Sequence, residues 1–121
     1  TGLLVAEALK ARQILAGDGI SARVVNIATI KPIDEEIICK AALETGAIVT
    51  AEEHNIIGGL GSAVAEVVCE NGCPVPVVRV GVNDVFGKSG PALELLKVFG
   101  LTIIKRVMSH YLKPGNRPCL A

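Results

Sequence analysis

Residues 51–64 read AEEHNIIGGLGSAV, and the fold turns on how this stretch is parsed. Just before it, residues 47–51 (AIVTA) form a short apolar run without clean alternation, as expected of a strand buried on both faces. Just after it, residues 62–70 carry Val64, Val67 and Val68 at helical spacing. The stretch therefore predicts a strand end, a tight turn built on Gly58, Gly59 and Gly61, and the opening of a helix.

Moving outward, the same alternation repeats. Leu4, Ala8, Ala11 and Leu15 recur at helical spacing, with Gly17 and Gly19 stopping that helix. Residues 22–28 (ARVVNIA) form a β-rich run. Asp34 is placed to cap a second helix, with Glu35 and Glu36 in its positive first turn and Gly46 at its end. Ile33 and Ile38 are spaced as a hydrophobic staple around that cap. Residues 75–82 predict a third strand. Ser89 or Gly90 opens another helix that contains Pro91 and closes at Gly100. Thr102 caps a last helix carrying Ile103, Ile104, Val107, Met108 and Tyr111.

Strands alternating with helices predict an α/β fold with a mostly parallel sheet. The expected organisation is one domain over residues 1–112 and a loose tail over 113–121, whose sequence KPGNRPCLA lacks periodicity. The chain opens on Thr1-Gly2 with a helix following at once, which reads as a fragment whose preceding element has been cut away.

Composition narrows the function. The 121 residues are 50% hydrophobic and 20% charged, a globular balance. Twelve basic residues against twelve acidic ones leave no electrostatic footprint for nucleic acid or a membrane surface. Only Tyr111, Phe86 and Phe99 are aromatic, too few for a base-stacking platform. No apolar run reaches spanning length and no signal peptide is visible, so the cytoplasm is expected. Of the four cysteines, Cys69 and Cys73 stand four apart in an expected helix. Without a second ligand pair, they read as free thiols and not as a metal site.

Three motifs suggest chemistry, and each is incomplete. Gly87-Lys88-Ser89 lies between a strand and a helix like a phosphate-binding loop, but Val82 stands where that loop needs its first glycine. Gly59 and Gly61 are two-thirds of a dinucleotide fingerprint whose third glycine is replaced by Val64. Glu52, Glu53 and His54 could form an acid–base group, yet neighbouring residues on a strand point to opposite faces, which separates Glu52 from Glu53. No catalytic residue, cofactor ligand or metal ligand is assigned. The candidates for an interface or ligand rim at the carboxyl ends of the strands are Glu52, Glu53, His54, Asn55, Gly58, Gly59, Gly61, Ser62, Asn83 and Asp84.

The order of three segments resembles a known family. Residues 29–34 (TIKPID), then 51–54 (AEEH) with 58–64 (GGLGSAV), then 82–84 (VND) with Ser89-Gly90 and 94–101 (ELLKVFGL), are similar to the C-terminal domain of transketolase. The likeness covers roughly residues 1 to 104. It implies a three-layer α/β/α domain with a mixed, mostly parallel five-stranded sheet, whose first parallel strand would directly precede Thr1-Gly2. The absence of that strand would leave an edge or gap exposed.

The resemblance also implies a function. Transketolase moves two-carbon ketol units between sugar phosphates in the pentose phosphate pathway, using thiamine diphosphate and Mg. That chemistry lies in other domains, so this domain is expected to be inactive alone, to bind no cofactor itself, and to join the remaining domains or subunit in a homodimeric enzyme. Alternatives are the corresponding domain of a 2-oxo acid dehydrogenase β subunit or of deoxyxylulose-phosphate synthase. A stand-alone module binding an anion at the turn over residues 58–62 is a third.

Overall fold

A computed structural model describes residues 1–102 and 118–121. The expected final helix, His110 and the boundary at 112/113 lie outside the described residues.

The first element is α1 (Leu4–Gly17), whose Leu4, Ala8, Ala11 and Leu15 are buried along one stripe, and Gly19 follows it in a left-handed conformation. Next come β1 (Arg23–Val24), shorter than the seven-residue run suggested, and α2 (Glu35–Thr45). The Asp34 side chain accepts from the amide of Ile37 at 3.0 Å, the expected cap, and Gly46 closes α2 at φ 73°. Ile38 is buried, with Ile33 packed against the same cluster. Then follow β2 (Ile48–Asn55), α3 (Leu60–Glu70), β3 (Val77–Val82), α4 (Ala92–Val98) and β4 (Cys119–Leu120).

All strand pairs are parallel, in the order β1-β4-β2-β3. Alternation along the central strands sorts the core into two halves. Val49, Ala51, Val80 and Leu120 face α1 and α4, together with Leu96 and Leu101. Ile48, Cys119 and Ala121 face α2 and α3, with Ile38, Leu60, Val64 and Val67. The result is the expected three-layer α/β/α arrangement. Among the described residues the sheet has four strands, all parallel, where the resemblance implied five in a mixed sheet.

The end of the chain departs from expectation. A loose tail was expected from residue 113, yet residues 118–121 are buried and lie between β1 and β2. Cys119 donates to Ala47 O at 2.8 Å and Ala121 to Val49 O at 2.9 Å, while Ala51 donates back to Ala121 O at 2.9 Å. No periodicity is legible in four residues, but a parallel lane flanked on both sides satisfies their backbone groups and buries Cys119 and Leu120 to 1% exposure each. The gap expected in the sheet is therefore filled.

Two outcomes test this placement. Leu120→Ala removes a large side chain from a closed core, so it costs about 2–5 kcal/mol in urea unfolding; a loss under roughly 0.5 kcal/mol, as for a surface change, contradicts a buried strand. Burial also pushes the Cys119 thiol up to about 11 from its ordinary 9.0, against a smaller opposing pull from Arg23. The fold thus favours the neutral thiol. Its contribution is intact below pH 9 and is lost as the pH rises towards 11, because the unfolded chain releases its proton first. Cys119→Ala should flatten that alkaline slope in unfolding measurements made between pH 8 and about 11.

Candidate functional site

The site is the rim where β2 and β3 end and α3 begins. Glu52 is the last residue in the buried part of β2 and points towards α3, at 1% exposure. Its carboxylate accepts from the amide of Leu60 at 2.8 Å and from that of Gly61 at 3.0 Å. A helix leaves its first amides unpaired and carries partial positive charge there, so a carboxylate is the complementary partner. The residue preceding α3, Gly59, supplies no side-chain cap. Glu52 takes that role from eight positions upstream.

The glycines make room for this contact. A Cβ at Gly59 would stand 2.0 Å from Glu52 Oε2 and 2.6 Å from Asn55 O. One at Gly61 would meet Arg79 Cγ at 2.6 Å and Thr50 Oγ1 at 2.7 Å. Gly58 serves a different need, adopting φ 74° with open space around it. Its amide donates to Ser62 Oγ at 3.0 Å.

The turn is bound to β3 as well. The Ile56 amide donates to Val82 O and the Ile56 carbonyl accepts from Arg79 Nη1, both at 3.0 Å. Asn55 works in both directions: its Oδ1 accepts from Ile57 N at 2.8 Å, and its Nδ2 donates to Asp84 Oδ1 at 3.1 Å. Asp84 holds φ 35°, a left-handed conformation that Asp tolerates better than most residues.

The ten rim candidates thus divide. Glu52 and Gly61 are buried structural parts of the turn and lie behind the surface. Asn55, Gly58, Gly59, Ser62 and Asp84 form the bonded turn itself, and His54 and Asn83 are exposed. Glu53 points to the opposite face from Glu52, as strand alternation requires, and its carboxylate lies against Gly2. Its Oε2 is buried and has no hydrogen-bond partner among the described residues. Ile57, Val85 and Phe86 were not singled out from sequence, yet they are 65%, 56% and 100% exposed on these loops. Two apolar residues together in an otherwise polar segment, Val85-Phe86, were the available signal.

This geometry answers the motif readings. An incoming anion would need the first amides of α3, and Glu52 already holds those of Leu60 and Gly61, so the turn is filled by the protein's own carboxylate. The same two bonds commit the Glu52 carboxylate to α3 and not to His54. Gly87-Lys88-Ser89 lies in an exposed loop ahead of the seven-residue α4. The four cysteines are free thiols, as read from sequence, but Cys69 and Cys73 do not share a helix: Cys73 lies beyond the end of α3 and donates to Cys39 Sγ at 3.2 Å, while Cys69 is exposed. Hydrogen bonding to Cys73, with burial second, pushes the Cys39 thiol up to about 11, which favours its neutral form. Among the described residues no group of three His, Cys, Asp or Glu side chains is placed to hold a metal ion. At the opposite, amino ends of the strands a cleft of about 560 Å³ is lined by Arg12, Arg23, Glu44 and Thr45. It is remote from the rim.

Glu52→Gln leaves one amide facing an NH₂ group, and should cost about 1–3 kcal/mol of stability. Gly59→Ala should cost a similar amount by forcing that carboxylate away. Because both act on one contact, the double variant should lose clearly less than the sum. Full additivity in chemical denaturation would contradict the shared contact.

Comparison with known proteins agrees with this fold. The family described as transketolase, C-terminal domain, matches residues 1–105. A Methanocaldococcus jannaschii protein described as a transketolase C-terminal section is 55% identical over 116 residues, covering 93% of this chain and 36% of that protein. The 6-deoxy-6-sulfo-D-fructose transketolase subunit SqwH of a Clostridium species is 57% identical, covering 84% of this chain and 31% of its own length. A 1-deoxy-D-xylulose-5-phosphate synthase of Heliobacterium modesticaldum is 43% identical, with 84% and 16% covered. A solved structure described as a split-gene transketolase, inactive β4 tetramer, superposes with a TM-score of 0.80 at 56% identity, covering 89% of this chain and 35% of that one. The chain spans about a third of the length of the transketolase relatives it matches. A 105-residue family match, identity above half and a shared fold together establish that the chain belongs to the transketolase C-terminal domain family.

Proposed function

We propose that this domain assembles a transketolase-type enzyme that transfers two-carbon ketol units between sugar phosphates. The rim at the ends of β2 and β3 lies against the remaining domains or a partner subunit. The observation that carries this reading is the exposure of Ile57, Val85 and Phe86 around the Asn55–Asp84 bond. A rim held rigid by backbone bonds, with apolar side chains turned outward, suits a protein contact better than a reaction. The complete enzyme is a cytoplasmic homodimer built from one chain or from two.

Thiamine diphosphate and Mg supply the ketol chemistry in that enzyme, but the described residues do not fit them. The α3 amides that might meet a diphosphate are bound to Glu52, and no metal-holding cluster is found among the described residues. In this reading the chemistry lies in the other domains, and this chain is inactive alone. A similar chain whose β4 tetramer is described as inactive supports this view. Transketolase relatives at 55% and 57% identity, against 43% for the deoxyxylulose-phosphate synthase, favour the ketol-transfer reading over that alternative.

The chain alone, given thiamine diphosphate and Mg, should transfer no ketol groups. Supplying the pyrophosphate- and pyrimidine-binding domains as a separate chain should restore transfer. Phe86→Asp should weaken that association roughly tenfold or more, about 1.4 kcal/mol, with the unfolding midpoint unchanged. Ketol transfer by the chain alone, or unaltered affinity in the variant, contradicts the proposal.

A further inference from the structure

Two thiols 34 positions apart in the chain meet where α2 passes the end of α3. Local structure brings them there. The helix α3 ends at Glu70, and Gly72, at φ 64°, turns the chain back in a conformation that glycine adopts without strain. The Cys73 amide then donates to Val68 O at 3.2 Å, which seats Cys73 in the core at 4% exposure. On α2, Glu35 and Cys39 stand one turn apart on one face. Glu35 Oε2 accepts from Asn71 Nδ2 at 3.2 Å, and Cys39 Sγ accepts from Cys73 Sγ at 3.2 Å. The turn after α3 is thus held to α2 at two points, and one of them is a pair of sulfurs.

The two sulfurs need to approach by only about 1 Å to reach disulfide bonding distance. They differ in access. Cys39 is half-buried, so a small reagent in solvent can meet it, whereas Cys73 is shielded behind it in the α2/α3 half of the core. This asymmetry gives the pair an attacking member and a resolving member.

We infer that Cys39 and Cys73 form a reversible redox site, oxidised to a disulfide by exchange with a low-molecular-mass disulfide, and that the bond staples α2 to the turn after α3. In the first step Cys39 gives its proton to solvent and its sulfur attacks the small disulfide. A mixed disulfide forms on Cys39 and one small thiolate leaves. In the second step Cys73 gives up its proton, its sulfur attacks Cys39 Sγ, and the second small thiolate leaves. The two leaving thiolates take up two protons, so the domain loses two electrons and the small disulfide gains them. The bond from Cys73, with burial second and the Glu35 carboxylate adding to both, disfavours the Cys39 thiolate, so the first step is slow and quickens as the pH rises. Such a pair stays reduced while small thiols are in excess and responds to sustained oxidation. Closing a loop of 34 positions restricts the unfolded chain, so the oxidised domain is the more stable form.

The test incubates the full chain with glutathione disulfide and maps its peptides by mass without reduction. Cys39 should be found joined to Cys73, exposed Cys69 should carry glutathione, and dithiothreitol should reverse both. Cys69→Ser removes the second modification, and in that variant the unfolding midpoint should rise by roughly 10 °C on oxidation. With Cys39→Ala added, no cross-link should form and the midpoint should not move. The inference is overturned if glutathione remains on Cys39 without displacement by Cys73, if Cys39 is left unmodified, if Cys73 joins Cys69 instead, or if the variant lacking Cys39 gains as much stability on oxidation. Should that variant fail to fold, the peptide map of the unsubstituted chain decides the pairing by itself.

Discussion

The carboxylate of Glu52 holds the first turn of α3 against the end of β2, and much of the rim's geometry depends on that contact. The helix dipole and two unpaired amides attract a negative charge, while burial makes an unpaired carboxylate costly. Each group therefore removes the other's penalty. The contact also explains two glycines by space, since Gly59 would collide with the carboxylate and Gly61 with Thr50 and Arg79 if either carried a Cβ.

From this anchor the turn spreads outward in steps. Arg79 and Val82 fix Ile56 from the β3 side, and Asn55 joins the same turn to Asp84. With the side chains of Glu52, Asn55, Ser62 and Asp84 bonded within the turn, the rim presents Ile57, Val85 and Phe86 to the outside. A surface of this kind is suited to burial against another protein surface. The first amides of α3 are already held by Glu52.

Local features of this fold were legible in the sequence because their causes are local. The Asp34 cap, the left-handed Gly46 and the buried stripes of α1 and α3 each rest on residues within a few positions of one another. The resemblance added the layer arrangement and the family. What sequence reading missed depends on contacts distant along the chain. Glu52 was read as a rim residue because its partners lie eight and nine positions away, across a turn. Cys69 and Cys73 were expected on one helix face, but α3 ends at Glu70 and the neighbour of Cys73 is Cys39, 34 positions away. The strand at residues 118–121 carries too few side chains to show a pattern, and only the lane beside β2 gives it structure.

The central claim is that Glu52 locks the opening of α3 into the cooperative core, and amide hydrogen exchange measures this directly. The account predicts that the amides of Leu60 and Gly61 exchange as slowly as those of the buried Val49 and Val64, through opening of the core. Fast exchange of Leu60 and Gly61, matching that of the fully exposed Phe86, would contradict it.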